Sequence, residues 1–168
     1  MIHVCSLADL SATVAATGAQ HILTVMGQVS KVERPASVLP TNHLLISMDD
    51  ITEPTEGFVA PQIEHIEQVL TFVRGWDRSR PMVVHCFAGI SRSTASAFTA
   101  ACALNPNRDE MEIALQMRRA SPTAYPNRRI VTLADQVLQR NGRMVAALDA
   151  MGPGDLTVIG RPFRVDIE

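Results

Sequence analysis

Cys86 and Arg92 are separated by five residues in the stretch His85-Cys86-Phe87-Ala88-Gly89-Ile90-Ser91-Arg92-Ser93. These residue types at this spacing suit a nucleophilic thiol held beside a bound anion. A thiol attacks as its thiolate, and free cysteine has a pKa of about 8.5. A nearby guanidinium, a ring of backbone N–H groups and a helix N-terminus each favour the thiolate. Arginine adds two-pronged donation to phosphate oxygens, which lysine lacks. Gly89 supplies the backbone freedom that a tight curl needs. Ser93 stands where its hydroxyl can donate to the Cys86 sulfur.

The elements on either side must hold this loop. Met82-Val83-Val84 is a short apolar run after a proline and suits a buried strand. Residues 91–104 are rich in alanine, without glycine or proline, and suit a helix. The loop therefore joins a strand end to a helix start, where free N–H groups and the positive end of the helix dipole favour an anion.

His-Cys, five residues, Arg, then Ser resembles the signature of the cysteine-dependent protein tyrosine phosphatases. The run Ala88-Gly89-Ile90-Ser91-Arg92-Ser93 looks most like their dual-specificity branch. The resemblance implies phosphomonoester hydrolysis through a phosphocysteine on Cys86. Arg92 and the backbone from Phe87 through Ala88, Gly89, Ile90 and Ser91 would hold the phosphate, and Ser93 would stabilise the sulfur. It also implies a general-acid Asp on a loop some thirty residues upstream. Asp50 lies 36 residues before Cys86. It begins a loop after an apolar strand pattern at 43–47, so it is the favoured acid, with Asp49 as substitute. Ligands in parallel sheets sit beyond the strands' carboxyl ends, and both aspartates lie at such an end. Asp77 precedes its strand and falls on the order of 16 Å from Cys86, at the opposite sheet edge. A loose Arg-x-x-Pro-x-x-x-Pro-Asn resemblance ends at Asn127. A helix cap is its favoured role, and bracing the catalytic loop the other. The resemblance spans roughly residues 44–140.

The whole chain reads as an α/β domain: a central, mostly parallel sheet with helices on both faces. Strands are expected at 2–5, 21–25, 43–47 and 82–84. Helices are expected at 7–17 behind a Ser6 cap, at 61–74, at 91–104 and, behind a cap at Asn107 or Asp109, through about residue 119. A further helix from 128 ends at Gly142, and a last one covers 143–150. Ile63, Ile66, Val69, Leu70 and Val73 share one helix face; Met111, Ala114, Leu115 and Arg118 share another; Ile130, Ala134, Val137 and Leu138 a third. The catalytic domain is assigned to residues 1–150, and residues 151–168 to a tail or an extra strand.

Composition bounds the partners. A net charge of −2 over 168 residues gives no footprint for nucleic acid or an anionic membrane. No apolar run approaches the roughly 20 residues of a membrane span. No basic segment leads into an apolar one at the start, so no leader is expected. Three dispersed cysteines do not make a disulfide framework, and the expected setting is the reducing cytoplasm. Cys5 and Cys102 read as core residues. His, Cys and Asp lack metal-ligand spacing, so neither metal nor cofactor is expected. The expected substrates are a phosphorylated protein or a small aryl phosphate, because the loop carries no lysine of the kind found in phosphoinositide-directed relatives. Two other functions fit a thiol in such a loop. A rhodanese-like sulfurtransferase would show thiosulfate activity. A phosphate-recognition module would bind without turnover. The sequence leaves the oligomeric state open.

Overall fold

The structure is a computed structural model and describes residues 1–167. Five strands form one sheet: β1 (Ile2–Cys5), β2 (His21–Val25), β3 (His43–Ile46), β4 (Met82–His85) and β5 (Phe163–Val165). Their order is β3-β2-β4-β1-β5. The first four are parallel, with Val4 opposite Val84 and Leu23 opposite the same Val84. β5 runs antiparallel to β1, with Val165 opposite Ile2. β4, which delivers Cys86, is thus the central strand.

Alternation along the strands divides the core between two faces. Met82 and Val84 of β4 and Leu23 and Val25 of β2 face a thick helical layer. That layer holds α2 (Ile63–Gly75), α3 (Arg92–Leu104), α4 (Glu110–Ala120), α5 (Arg128–Val137) and α6 (Arg143–Met151). Val83 and Ile22 face the other way, where α1 (Leu10–Thr17) lies alone with Leu10 and Val14 against them. α3 is the hub of the thick layer. Ten consecutive residues, Ser93 to Cys102, are buried, and their small side chains let sheet and helices approach on every side.

Several boundaries and faces differ from the sequence reading. α1 begins at Leu10, not at residue 7: Ser6 closes a turn by accepting from Asp9 N at 3.2 Å, and the helix starts after it. α2 begins at Ile63, and Ile63 itself is exposed, because Gln62 caps the helix and turns its first residue outward. His65 is half-buried, and its Nδ1 accepts from Gln62 N. β3 stops at Ile46. On α4 the buried positions are Glu110, Ile113, Ala114 and Met117, while Leu115 is exposed. The stripe turns because Glu110 is drawn inward by Arg140 at 2.9 Å and Arg143 at 3.1 Å. α5 stops at Val137, and Gly142, at φ +83°, opens α6 instead of closing α5. The carboxylate of Asp135 accepts from both Gly142 N and Met144 N at that start. No helix among the described residues is long and apolar enough to cross a membrane.

Candidate active site

The loop after β4 wraps around the Cys86 sulfur. Gly89 N–H donates to Sγ at 3.2 Å, and Ser93 Oγ lies 3.2 Å from it. Gly89 takes φ +72°, and a Cβ there would stand 2.8 Å from the backbone of Cys5 and Ser6. Only glycine meets both demands. Ser91 sits at the N-cap position of α3, so the 13-residue helix begins at Arg92 and aims its dipole at the loop. Arg92 Nη1 donates to Met48 O at 2.9 Å, which aligns the guanidinium with the end of the β3 loop. Its Nε is buried and has no partner among the described residues. A buried unpaired donor is destabilising by about 1–3 kcal/mol unless a ligand takes it. The fold thus carries a spare cationic N–H at the start of the helix that follows the thiol loop.

The two acidic candidates separate clearly. Asp49 belongs to the scaffold of its loop: Oδ2 accepts from Val59 N at 2.7 Å, and its backbone N donates to Val59 O at 2.7 Å. A Cβ on Gly27 would collide with its carboxylate, so Asp49 is packed toward β2. Asp50 points to the loop instead. Its Oδ1 accepts from Ser91 Oγ at 2.7 Å and from Asn127 Nδ2 at 2.8 Å. Both bonds fall on one oxygen, which leaves Oδ2 for a proton.

Asn127 does more than cap. Its Oδ1 accepts from Ile130 N at 3.1 Å, as an N-cap should, while Nδ2 reaches Asp50 and the carbonyl of Ile51. Its backbone N also donates to Ser91 O at 3.2 Å. One side chain therefore ties α5 to the acidic loop. Asp77 lies at the other sheet edge, where its Oδ1 accepts from Ser79.

Sequence reading gave no part to Thr24 or His43, which belong to the site's support. Thr24 Oγ1 lies 2.7 Å from His85 Nε2 and 2.7 Å from His43 Nε2. His85 Nδ1 is 3.3 Å from the Cys86 carbonyl, which can only accept, so the proton is on Nδ1. Nε2 then accepts from the Thr24 hydroxyl, and Thr24 accepts from His43. Burial pushes the pKa of His85 down to about 4; the bond to the Cys86 carbonyl opposes this and the charge of His43 adds to it. The imidazole is neutral, as that network requires. The only sequence signal was a polar Thr within an apolar strand.

A cavity of about 600 Å³ opens beside Asp50 and Ser91. Ile51, Tyr125, Pro126, Leu148 and Pro153 form its apolar wall, with Glu53 and the Arg128–Asp149 ion pair among the polar groups. No cluster of three or more His, Cys, Asp or Glu able to share a metal ion occurs among the described residues.

Comparison with known proteins agrees with this fold. Residues 50–128 match the family model described as protein-tyrosine phosphatase. No curated protein matches the chain significantly in sequence. Among solved structures, human DUSP28 superposes with a TM-score of 0.64 at 17% identity, over 83% of this chain and 92% of that one. DUSP15 gives a TM-score of 0.63 at 17% identity, over 89% of each chain. The human tyrosine phosphatase-like serine/threonine/tyrosine-interacting protein gives 0.63 at 17% identity, over 83% and 92%. The matched segment begins at Asp50 and contains the whole Cys86–Arg92 loop and Asn127, so the part of the chain that carries the site is similar to the protein-tyrosine phosphatase family.

Proposed function

We propose that this protein hydrolyses phosphomonoesters through a phosphocysteine intermediate, with phosphorylated protein side chains, phosphotyrosine first, as substrates. One observation carries the reading. The Cys86 sulfur sits at a helix N-terminus, takes a hydrogen bond from Gly89 N–H and contacts Ser93 Oγ, and Arg92 at the start of that helix carries a buried Nε with no partner among the described residues.

The Cys86 thiolate attacks phosphorus, and the bond to the leaving oxygen breaks. Asp50 gives its proton to that oxygen from Oδ2 while Ser91 and Asn127 hold Oδ1. Arg92 and the loop N–H groups from Phe87 onward hold the other three oxygens as charge shifts among them. Water then attacks phosphorus, Asp50 takes its proton, and the sulfur–phosphorus bond breaks to restore the thiolate. Ser93 donates to the sulfur as it leaves. The chemistry needs a reduced thiol, which fits a cytoplasmic setting.

The cavity beside Asp50 receives the leaving group. Its apolar wall suits an aryl ring, with Tyr125 exposed at the rim. Arg128 is the only cation among the described lining residues, and Asp149 occupies it. With Glu53 also present, the wall favours a singly phosphorylated protein side chain over a headgroup bearing several phosphates.

Release of phosphate from para-nitrophenyl phosphate, with and without a chelator, tests the reaction. Turnover should survive the chelator and vanish in Cys86→Ser. A folded, reduced wild type that releases no phosphate sinks the reading. Thiosulfate turnover would then assign sulfur transfer, and capture of a phosphopeptide without turnover would assign a recognition module.

A further inference from the structure

The carbonyls of the catalytic loop are taken by groups outside it. Phe87 O accepts from Leu7 N at 3.1 Å, Ile90 O from Tyr125 N at 2.9 Å, and Ser91 O from Asn127 N at 3.2 Å. Ala88 O accepts from Gly160 N at 2.9 Å. In a planar trans peptide the C=O of one residue and the N–H of the next point in opposite directions. A carbonyl pinned outward therefore aims the following N–H inward. The peptide between Ala88 and Gly89 is the one whose N–H reaches the Cys86 sulfur, at 3.2 Å. Its other end is held by Gly160.

We infer that Gly160 is a positioning residue of the active site: its N–H fixes the Ala88–Gly89 peptide so that the Gly89 N–H stays directed at Cys86. The inference rests on the assignment of Cys86 as nucleophile. Gly160 lies outside the 50–128 segment that matches the family model, so this support comes from the chain's own C-terminal part.

The fit is close. Gly160 is buried, and a Cβ on it would stand 2.9 Å from Gly89 O and 3.3 Å from Ile90 Cγ1. The strap that carries it is fastened on both sides. Upstream, Asp155 N donates to Pro122 O at 2.9 Å, and Gly154 packs against the carbonyls of Thr123 and Ala124. Downstream, Phe163–Val165 pairs with β1. Leu156 and Val158 between these anchors are exposed, so Gly160 is the point where the strap bears on the loop.

Two variants separate the lost hydrogen bond from simple crowding. Gly160→Ala adds a methyl group against the loop. An amide-to-ester replacement at position 160, made by ligating a synthetic C-terminal peptide, removes the N–H and adds no atom. Thr157→Ala, on the same strap with its hydroxyl turned to Ile159 O, is the control. The readouts are the pH profile of Cys86 alkylation by iodoacetate, kcat/KM on para-nitrophenyl phosphate, and the urea midpoint. The ester variant should remain folded, shift the alkylation profile to higher pH and lose about ten-fold in kcat/KM, roughly the worth of one hydrogen bond to a charged group. Gly160→Ala should lose at least as much, and Thr157→Ala nothing. If Gly160→Ala does not fold, the ester still decides the matter. An ester variant with wild-type alkylation and wild-type turnover overturns the inference, as does one that loses stability alone. Because alkylation needs no turnover, a shifted profile in a protein without phosphatase activity would uphold Gly160 while rejecting the proposed reaction.

Discussion

Asn127 Nδ2 donates to Asp50 Oδ1 at 2.8 Å across 77 positions of sequence. This bond couples the helix behind the catalytic loop to the proposed acid in front of it. It also makes the acid's two oxygens unequal, since Ser91 Oγ adds a second bond to the same Oδ1.

Asp50→Asn should lower kcat on an alkyl phosphate by roughly 10²–10⁴-fold, the usual worth of a positioned general acid. The loss should be smaller on para-nitrophenyl phosphate, whose leaving group needs little help. Asn127→Ala should show the same dependence on leaving group at about ten-fold, because the carboxylate is free to turn. Asp49→Asn should leave that dependence unchanged, since its carboxylate holds Val59 N. A leaving-group series with each variant checks all three, and a steepened slope for Asp49→Asn would exchange the two roles.

Only one thiol should react in the native state. Burial pushes Cys5 and Cys102 up to about 12, with the nearby Asp9 carboxylate adding to it at Cys5 and Glu110 at Cys102. Both stay protonated and enclosed at neutral pH. Mass spectrometry after iodoacetate at pH 7 should find one label on the wild type, none on Cys86→Ser, and three on the urea-unfolded wild type.

His85 should make stability depend on pH. Its pKa in the fold is about 4, against about 6.5 when unfolded. Between those values the unfolded chain binds the extra proton, so stability rises with pH across the window. The contribution is complete above about pH 6.5 and is lost as pH falls toward 4. A shift of that size corresponds to about 3 kcal/mol. Urea midpoints from pH 4 to 7 should climb steeply for wild type and less steeply for His85→Gln. The slope does not vanish, because burial also lowers His21 and His43.

Glu110 should be among the most sensitive positions far from the site. Its side chain is buried against Arg140, which also donates to Cys102 O at 2.7 Å and Pro106 O at 3.0 Å. Removing one member of such a pair leaves an uncompensated buried charge, with a loss of about 3–5 kcal/mol. Glu110→Ala should lower the urea midpoint accordingly, while the fraction that stays folded keeps its kcat/KM.

What could be read in the sequence was local. Cys86, Gly89, Arg92 and Ser93 lie within eight residues, and the strand before them and helix after them follow from short-range pattern. Which of Asp49 and Asp50 faces the loop depends on Gly27, Val59, Ser91 and Asn127, groups that only the folded chain assembles. The same holds for the buried face of α4, where pairing with Arg140 and Arg143 overrides hydrophobic periodicity. Gly160 carried no signal at all, because its contribution is a backbone N–H, which every residue except proline possesses.

The pairing of β1 with β5 bears on how the protein is made. Residues 2–4 wait for partners at 163–165, and Ala88 waits for Gly160. A nascent chain emerging N-terminus first can gather the parallel strands and α3 early. Until residues 160–165 leave the ribosome, however, β1 keeps an open edge, and the peptide facing Cys86 lacks its outer tether. Contacts of such long sequence separation form late. The thiol therefore exists long before its surroundings are complete, and full activity should arise only after residues 160–165 have emerged.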